Sequence, residues 1–274
     1  MVRINIRCAG ICSGCKIKTM WERAYFYTMQ RKKIVFLGAK PIGYQCLSYL
    51  LSVQDKLNLE ITGLLTHARK EFGNAYDINE LAAAHSIPVL DNMDNIPQCD
   101  IIYSVQHHEI LKQAHIDKAT QIAVNLHMAP LPEYRGSNQF SYAIIDGKTE
   151  FGTTIHKIDT GIDHGDILFQ ERFPIPEKCW VDELYALTYD ASVKLFMTSL
   201  EQIVNGNYTA VPQASLEAQY GTSLHYRNEI AQLKQIDLGW GLDQIERHIR
   251  ATSMPGFEMP YCIIDGKKVH FTRQ

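Results

Sequence analysis

Residues 34–43 of the 274-residue chain have the sequence IVFLGAKPIG, and this stretch sets the fold class. The apolar run 34–37 has the length of a buried strand, Gly38 ends it, and helical spacing follows over residues 44–51. The turn departs from the GxGxxG dinucleotide fingerprint, and Pro41 has no amide to offer a pyrophosphate. We therefore interpret it as a tight strand-to-helix turn and do not expect a dehydrogenase.

The same alternation of strand and helix continues along the chain. Short apolar or alternating runs predict strands at residues 59–65, 87–90, 101–105, 122–127, 153–158 and 167–175. Helical spacing predicts helices at residues 78–85, 109–115, 140–145 and 181–204. This pattern predicts an α/β fold: a Rossmann-like, mostly parallel sheet with helices on both faces.

The character of the sequence changes after Pro212. A helix is predicted over residues 242–251, and Asp265-Gly266 between two alternating runs is a strong β-hairpin signal. We divide the chain into an N-terminal extension, a main domain and a small C-terminal appendage of helix and hairpin: residues 1–28, 29–212 and 213–274.

Charge is unevenly distributed. Residues 1–33 hold eight Lys or Arg and one acidic residue, which leaves 19 basic and 29 acidic side chains, a net charge of −10, for the remainder. An acidic body repels nucleic acid, so we expect no nucleic-acid partner. No stretch approaches the ~18 uninterrupted apolar residues of a membrane helix, so we expect no membrane partner either.

The seven cysteines fall into two groups. Four are scattered singly among apolar neighbours, which predicts reduced core thiols in a cytoplasmic protein: Cys46, Cys99, Cys179 and Cys262. Cys8, Cys12 and Cys15 lie close together, but three cysteines without a nearby histidine form a poor zinc set, so we expect no metal. We interpret residues 1–28 as a disordered extension or the product of an upstream start codon.

The residues that carry chemistry concentrate between positions 125 and 166. Asn125-Leu126-His127 ends a buried strand, and side chains at i and i+2 project from the same face. Ligands bind at the carboxyl ends of parallel strands, and a polar pair there is costly unless it is used or hydrogen-bonded. Residues 161–166, GIDHGD, add two carboxylates on a glycine-bracketed turn. Taken alone, Asn125 and His127 are compatible with a functional and with a structural role to the same degree. For His164 and Asp166 we favour a structural role.

Together these segments closely resemble the formyltransferases that use 10-formyltetrahydrofolate. That family carries Asn-x-His at a strand end, a Leu-Pro-x-x-[Arg/Lys]-Gly loop and a Gly-[Leu/Ile]-Asp-x-Gly-Asp turn. Here the same order and spacing occur at residues 125–127, 131–136 and 161–166, within a resemblance that covers about residues 32–205. The resemblance implies that residues 29–212 are the catalytic domain and that 10-formyltetrahydrofolate is the co-substrate. It also implies a catalytic set: Asn125, His127 and Asp163.

The same resemblance implies where the folate binds. Backbone groups of the segment after strand 101–105 would hold the pterin, with these residues: Gln106, His107, His108 and Ile110. Asp159 and Ile162 would close the other side of the slot.

Within the family, the sequence looks more like the sugar N-formyltransferases, which formylate an amino sugar carried on a nucleotide, usually dTDP. Segments 134–141, 224–230 and 249–257 carry this likeness. A tRNA formyltransferase is expected to carry a larger, basic C-terminal domain. The acceptor implied is a dTDP-amino sugar, dTDP-4-amino-4,6-dideoxyglucose, used for a surface polysaccharide such as lipopolysaccharide O-antigen.

Candidates for binding this acceptor lie mostly in the C-terminal part. Asn138 and Gln139 are placed to touch the sugar. Cations or hydrogen-bond donors for pyrophosphate are His225, Arg227 and Lys234, and rings for stacking on thymine are Tyr220, Tyr226 and Trp240. Each is also compatible with an ordinary polar face or a core aromatic. The C-terminal hairpin indicates a homodimer contact.

Formyl transfer to an amine passes through a tetrahedral species with an oxyanion. Asn125 is expected to donate a hydrogen bond to that oxygen, worth roughly 2.7–4 kcal/mol in comparable cases. His127 is expected to accept the amine proton, and Asp163 to orient the imidazole, stabilise its cation or relay the proton through water. The alternatives are a hydrolase that releases formate from 10-formyltetrahydrofolate and a non-catalytic binder of folate or nucleotide sugar.

Overall fold

A computed structural model describes residues 30–67 and 76–273. The predictions for residues 1–28 and for Cys8, Cys12 and Cys15 lie outside these residues. The described chain from Lys32 onward packs as one compact unit. The division predicted at residue 212 stays a prediction.

The strands of the described residues are β1 (Lys32–Gly38), β2 (Leu59–Leu65), β3 (Cys99–Val105), β4 (Ala119–His127), β5 (Arg135–Gly136), β6 (Glu150–Lys157), β7 (Ile167–Pro174), β8 (Leu224–His225), β9 (Tyr261–Ile264) and β10 (Lys267–His270). Their α-helices are α1 (Lys40–Val53), α2 (Ile78–Ala84), α3 (Gln113–Ile116), α4 (Gln139–Ile145), α5 (Val181–Asn205), α6 (Glu217–Tyr220), α7 (Ile230–Leu233) and α8 (Leu242–Thr252).

The central sheet has six strands in the order β2-β1-β3-β4-β6-β7. The pairs β1–β2, β1–β3 and β3–β4 are parallel, whereas β4–β6 and β6–β7 are antiparallel. The predicted α/β class with a mostly parallel sheet is confirmed. The antiparallel pair β4–β6 matters for the site, because it brings the carboxyl end of β4 beside β6.

Both faces of this sheet are covered, but unequally. On one face α1 and α5 pack over the strands, and the ring of Phe196 lies 4.7 Å from Tyr103 and 6.5 Å from Phe36, centroid to centroid. On the other face, the short helix α3 and the segment before it cover the strands with Ile116 and Leu111. Fully burying one such side chain stabilises the fold by about 1.5–3 kcal/mol, so the large apolar side chains of α5 anchor it to the sheet.

Two predicted elements differ in the structure. The helix predicted over 109–115 is limited to Gln113–Ile116, because the segment before it is not helical and buries Leu111 in the core of the second face. The strand predicted at 87–90 is reduced to a single parallel bridge between Val89 and Leu64.

The C-terminal hairpin is confirmed. β9 and β10 pair antiparallel around Asp265 and Gly266, whose φ angles are 48° and 73°. Two successive residues with positive φ are what a type I′ hairpin turn requires, and Asp-Gly adopts them readily.

The four cysteines outside the N-terminal extension are buried and form no disulfide bond, as predicted. Burial raises the pKa of the Cys99 thiol to about 11, which keeps it protonated at neutral pH. Across residues 30–67 and 76–273, none of the helices combines the length and the apolar character that crossing a membrane demands.

Candidate active site

Strand β4 delivers the first two polar side chains to the edge of the sheet. Asn125 and His127 are separated by one residue at the carboxyl end of β4, so both project from one face. Apolar neighbours hold this strand end in the core, where Leu126 is 1% exposed. The His127 imidazole is itself buried and therefore needs hydrogen-bond partners.

Asp163 reaches the same place from the loop between β6 and β7. Its φ is 45°, a left-handed conformation that aspartate tolerates better than most residues. The side-chain amide of Gln213 donates to the carbonyl oxygens of Asp163 and Gly165 at 2.9 and 2.8 Å. Arg135 Nε donates to the carbonyl oxygen of Ile162 at 2.9 Å. Three polar contacts therefore fix the backbone on either side of the carboxylate.

Asp163 lies within contact distance of the other two predicted catalytic side chains. Asp163 Oδ2 lies 3.4 Å from Nδ1 of His127 and accepts a hydrogen bond from the amide of Gly136 at 3.0 Å. Asp163 Oδ1 accepts from Asn125 Nδ2 at 3.3 Å. The carboxylate thus sits between the imidazole and the amide and contacts both.

A fourth side chain, His156, joins this cluster and was not predicted. Its Nε2 lies 3.2 Å from Asn125 Nδ2 and 3.3 Å from Asp163 Oδ1. Its Nδ1 lies 2.7 Å from the carbonyl oxygen of Lys157, which can only accept, so Nδ1 carries a hydrogen. His156 pairs directly with Asn125 in the β4–β6 register, a relationship the sequence alone does not reveal.

The surroundings of the Asp163 carboxyl shift its pKa. Burial by itself would raise the pKa of Asp163, but the charges of His127 and His156, the His156 hydrogen bond and the Gly136 amide outweigh it. They hold the pKa of that carboxyl well below its usual range. Asp163 is therefore a carboxylate at neutral pH, and it stabilises positive charge on His127.

The tautomer of His127 follows from its second contact. Nε2 lies 2.8 Å from the carbonyl oxygen of Tyr134, so Nε2 donates its hydrogen there. The remaining nitrogen, Nδ1, faces Asp163 and is the one that can gain or lose a proton. The arrangement can therefore stabilise developing negative charge through Asn125 and accept a proton at His127 Nδ1.

The C-terminal part of the chain returns to this site through a two-strand ladder. β5 pairs parallel with β8, and the Ser137 amide donates to the carbonyl oxygen of His225 at 2.8 Å. Asn138 Nδ2 donates to the carbonyl oxygen of Tyr226 at 2.8 Å. These hydrogen bonds join the loop that contacts Asp163 through Gly136 to the segment predicted to bind the acceptor.

Residues 224–229 also form an aromatic and acidic cluster with α4. The rings of Tyr142 and His225 stack with centroids 3.5 Å apart, and Glu229 Oε2 accepts from Tyr142 Oη at 2.6 Å. Partial burial and that hydrogen bond raise the pKa of Tyr142 to about 12. Gln139, the first residue of α4, is partly exposed beside this cluster.

The predicted folate residues occupy two segments. Gln106 has a φ of 56° and accepts from Lys40 Nζ at 2.8 Å, and Ile110 is exposed. Asp159 Oδ2 lies 2.7 Å from Nδ1 of His164, and Ile162 accepts from Arg135 as described.

His107 and His108 contact each other and His67. Burial, then the neighbouring His108 and His67, lower the pKa of His107 to about 4. Their role in folate binding stays a prediction.

The remaining acceptor candidates make other contacts. The guanidinium of Arg172 lies over the ring of Tyr220, 4.4 Å from its centroid. Trp240 packs on His248 with ring centroids 4.5 Å apart, and burial lowers the pKa of Lys234. Arg227 is exposed in the turn after β8, next to the ladder. Of the predicted set, the residues that lie on or beside the ladder adjoining the active-site loop are Asn138, His225, Tyr226 and Arg227.

Comparison with known proteins gives matches in sequence and in structure. The Formyl transferase family model matches residues 82–200. A methionyl-tRNA formyltransferase of a Geobacillus species is 30% identical over 233 residues, which is 80% of this chain and 70% of that protein. A GDP-perosamine N-formyltransferase of Brucella melitensis is 33% identical over 168 residues, 61% of this chain and 62% of that protein. The chain thus spans less than two thirds of the Brucella enzyme.

Among solved structures, an N-formyltransferase from Helicobacter canadensis, in complex with folinic acid and dTDP-3-aminofucose, has the same fold. Its TM-score is 0.70 at 23% identity, and the match covers 88% of this chain and 86% of that one.

Proposed function

The chain belongs to the formyltransferase family and is a one-carbon transferase, and from this premise we propose that it formylates the amine of a nucleotide-linked amino-dideoxy sugar. The observation that carries the proposal is the Asn125, His127, Asp163 and His156 cluster, joined through Gly136 to the β5–β8 ladder. This connection supports the assignment of an acceptor surface beside groups suited to acyl transfer.

Co-substrate 10-formyltetrahydrofolate supplies the formyl group in this reaction. The site fits such a donor, because a formyl oxygen needs a hydrogen-bond donor and the Asn125 amide presents one. Asn125 Nδ2 points toward Asp163 Oδ1 and His156 Nε2 at 3.3 and 3.2 Å. The opposite amide orientation would set its oxygen against a carboxylate. Both distances are long for hydrogen bonds, so the Asn125 amide can turn one N–H toward an oxyanion. Catalytic hydrogen bonds often shorten only when substrate is bound.

His127 is the proton acceptor in this proposal, through a defined atom. Because Nε2 is committed to the carbonyl oxygen of Tyr134, the amine proton is taken up at Nδ1. The attacking amine forms its bond to the formyl carbon, the bond from that carbon to the folate nitrogen breaks, and that nitrogen receives a proton. Asp163 Oδ2, 3.4 Å from Nδ1, stabilises the imidazolium while the proton resides there.

The segment after β8 provides the chemistry for a nucleotide. Tyr226 is 53% exposed and offers a ring to a base, while Arg227 offers a guanidinium to a diphosphate. Asn138 and Gln139 stand between this segment and the catalytic cluster and are assigned to the sugar. Tyr220, Lys234 and Trp240 remain predicted contributors from the same part of the chain.

The acceptor we propose in detail is dTDP-4-amino-4,6-dideoxyglucose, as an intermediate for a surface polysaccharide. The relatives support a nucleotide sugar as the class: one is a GDP-perosamine N-formyltransferase and one is a structure holding dTDP-3-aminofucose. The net charge of −10 after residue 33 disfavours tRNA as the acceptor.

Assembly and location complete the proposal. On one face of the hairpin β9–β10, Ile264 and Val269 present apolar side chains to solvent and are 46% and 45% exposed. A two-fold contact through this hairpin would cover them and give a homodimer. Buried, unbridged cysteines favour a reducing compartment, so we place the reaction in the cytoplasm.

The proposal is tested by release of tetrahydrofolate from 10-formyltetrahydrofolate with different acceptors. The acceptors are dTDP-4-amino-4,6-dideoxyglucose, its 3-amino isomer, methionyl-tRNA and none. We expect release that depends on the 4-amino sugar. Faster release with the 3-amino isomer would move the formylated amine from C4 to C3 and would keep a nucleotide sugar as the acceptor. Equal release without acceptor would show that the protein is a hydrolase. Release only with methionyl-tRNA would show that the acceptor is a tRNA and not a nucleotide sugar. Ligand binding without release would show that the protein is a non-catalytic binder.

A further inference from the structure

Three histidines that take no part in the catalytic cluster meet at another point of the sheet edge. His67 lies two residues beyond the end of β2, and His107 and His108 lie just beyond the end of β3. The ring of His67 lies 4.3 Å from that of His108 and 5.5 Å from that of His107, centroid to centroid. The carboxyl ends of β2 and β3 flank the end of β1, which is why residues distant in sequence meet there.

The donor atoms of these three rings have nearly the spacing of a metal site. One nitrogen from each histidine lies within 4.8 Å of the other two. A tetrahedral zinc ion bound to nitrogen at about 2.0–2.1 Å needs ligands about 3.4 Å apart. The His67 side chain is 37% exposed and His108 is exposed, so modest ring rotations suffice to close the difference.

His107 provides an independent indication of a ligand. Both of its ring nitrogens are buried, and among the described residues neither has a hydrogen-bond partner. Buried polar atoms are seldom left unpaired, because they lose their hydrogen bonds to water without replacement. A cation bound to His107 would supply the missing partner for one of these nitrogens.

Glu109 adds the arrangement that often accompanies a metal-bound histidine. Its Oε1 lies 2.7 Å from Nε2 of His67, which leaves Nδ1 as the nitrogen for an ion. A carboxylate that holds the far nitrogen fixes the ring orientation and makes the ligating nitrogen more basic.

We propose that His67, His107 and His108 bind a divalent transition-metal ion, Zn²⁺ in the cell, with Glu109 orienting His67 and water completing the coordination. Three imidazoles without a thiolate suit zinc and its spectroscopic substitute cobalt. The sequence gives no indication of this site, because His67 is far along the chain from His107 and His108. The predicted folate contacts of this segment involve backbone groups, so the proposal does not depend on the proposed function.

The test is metal titration of the full chain with Zn²⁺ by calorimetry and with Co²⁺ by visible absorption. The variants are His67→Gln, His107→Gln and His108→Gln, and the matched control is His85→Gln, an exposed histidine at the end of α2. We expect the wild type and the control to bind one ion with imidazole-type cobalt bands. Each cluster variant should bind that ion about tenfold more weakly or not at all, and Glu109→Gln about 10–100-fold more weakly.

Thermal melting of each variant shows whether it is folded. If His107→Gln does not fold, the variants at the partly exposed His67 and the exposed His108 provide the test. Binding of no ion by the wild type would overturn the proposal, as would cluster variants that bind like the control. A cobalt spectrum with only thiolate charge-transfer bands would assign the metal to Cys8, Cys12 and Cys15 instead and would also overturn it.

Discussion

Asn125 and His156 face each other across the antiparallel pair β4–β6, with Nδ2 of Asn125 3.2 Å from Nε2 of His156. Because Nδ1 of His156 donates to the carbonyl oxygen of Lys157, the ring is held with Nε2 facing the Asn125 amide. The same Nε2 lies 3.3 Å from Asp163. His156 therefore orients the amide that faces the formyl oxygen and is a positioning residue, since it acts through Asn125.

His156→Phe should lower kcat by about 10²-fold while KM for both substrates stays nearly unchanged, because misplacing a catalytic group by about 1 Å costs that much. The measurement is steady-state kinetics with folate and acceptor varied separately. His85→Phe, at an exposed site, is the control and should behave as wild type. A rise in KM with unchanged kcat would assign His156 to binding instead.

Asp163→Asn should change the acid dependence of stability. The folded-state pKa of Asp163 is depressed below its ordinary value of 3.8, so its carboxylate stabilises the fold above that pH and loses this contribution as pH falls further. Urea unfolding of both proteins from about pH 7 to about pH 3 measures the effect. The difference in free energy of unfolding should be constant at the upper end and shrink below about pH 4. A difference that widens toward acid would contradict the assignment.

Gly165→Ala should displace the loop that carries Asp163. An added Cβ would lie 2.1 Å from the carbonyl oxygen of Lys157, a backbone atom that cannot move aside cheaply. We expect a loss of about 1–3 kcal/mol in the free energy of unfolding together with a fall in kcat. Gly241→Ala is the matched control, since nothing lies within 4 Å of its added Cβ. Equal stability and activity in both variants would show that the loop adapts.

His225→Ala should separate acceptor binding from folate binding. The His225 ring stacks on Tyr142 and its backbone carbonyl holds Ser137, so the variant loses the ring but keeps the ladder. We expect kcat/KM for the nucleotide sugar to fall about tenfold, in line with the loss of one aromatic contact of about 1.5 kcal/mol, with KM for folate unchanged. A folate effect of equal size would remove His225 from the acceptor site.

The catalytic set is implied by the resemblance to the formyltransferases, because three motifs match in order and spacing. Local patterns alone predict less: the two-residue period of a strand puts Asn125 and His127 on one face, and a glycine-bracketed turn puts Asp163 near the same sheet edge. The structure places Asp163 in contact with both Asn125 and His127. The family resemblance named the same residues, and the α/β class followed from the apolar runs.

His156 and Gln213 could not be found in this way. His156 joins the site only because β6 runs antiparallel to β4 in one particular register, and a shift of one residue would turn it to the other face. Gln213 holds the Asp163 loop from 50 residues further along the chain, a contact set by the return of the chain after α5. Neither relationship has a local sequence signal. The helix predicted over 109–115 was wrong because burial of Leu111 outweighs the local helical spacing.

The most direct test of the central claim is the mass of the acceptor after a single turnover, with wild type and with His127→Asn. With wild type, 10-formyltetrahydrofolate and dTDP-4-amino-4,6-dideoxyglucose, the sugar nucleotide should gain the mass of one formyl group in place of a hydrogen. With His127→Asn, a folded protein should yield the same product about 10²–10⁴-fold more slowly. Formate in place of a formylated sugar, or a variant as fast as wild type, would contradict the account.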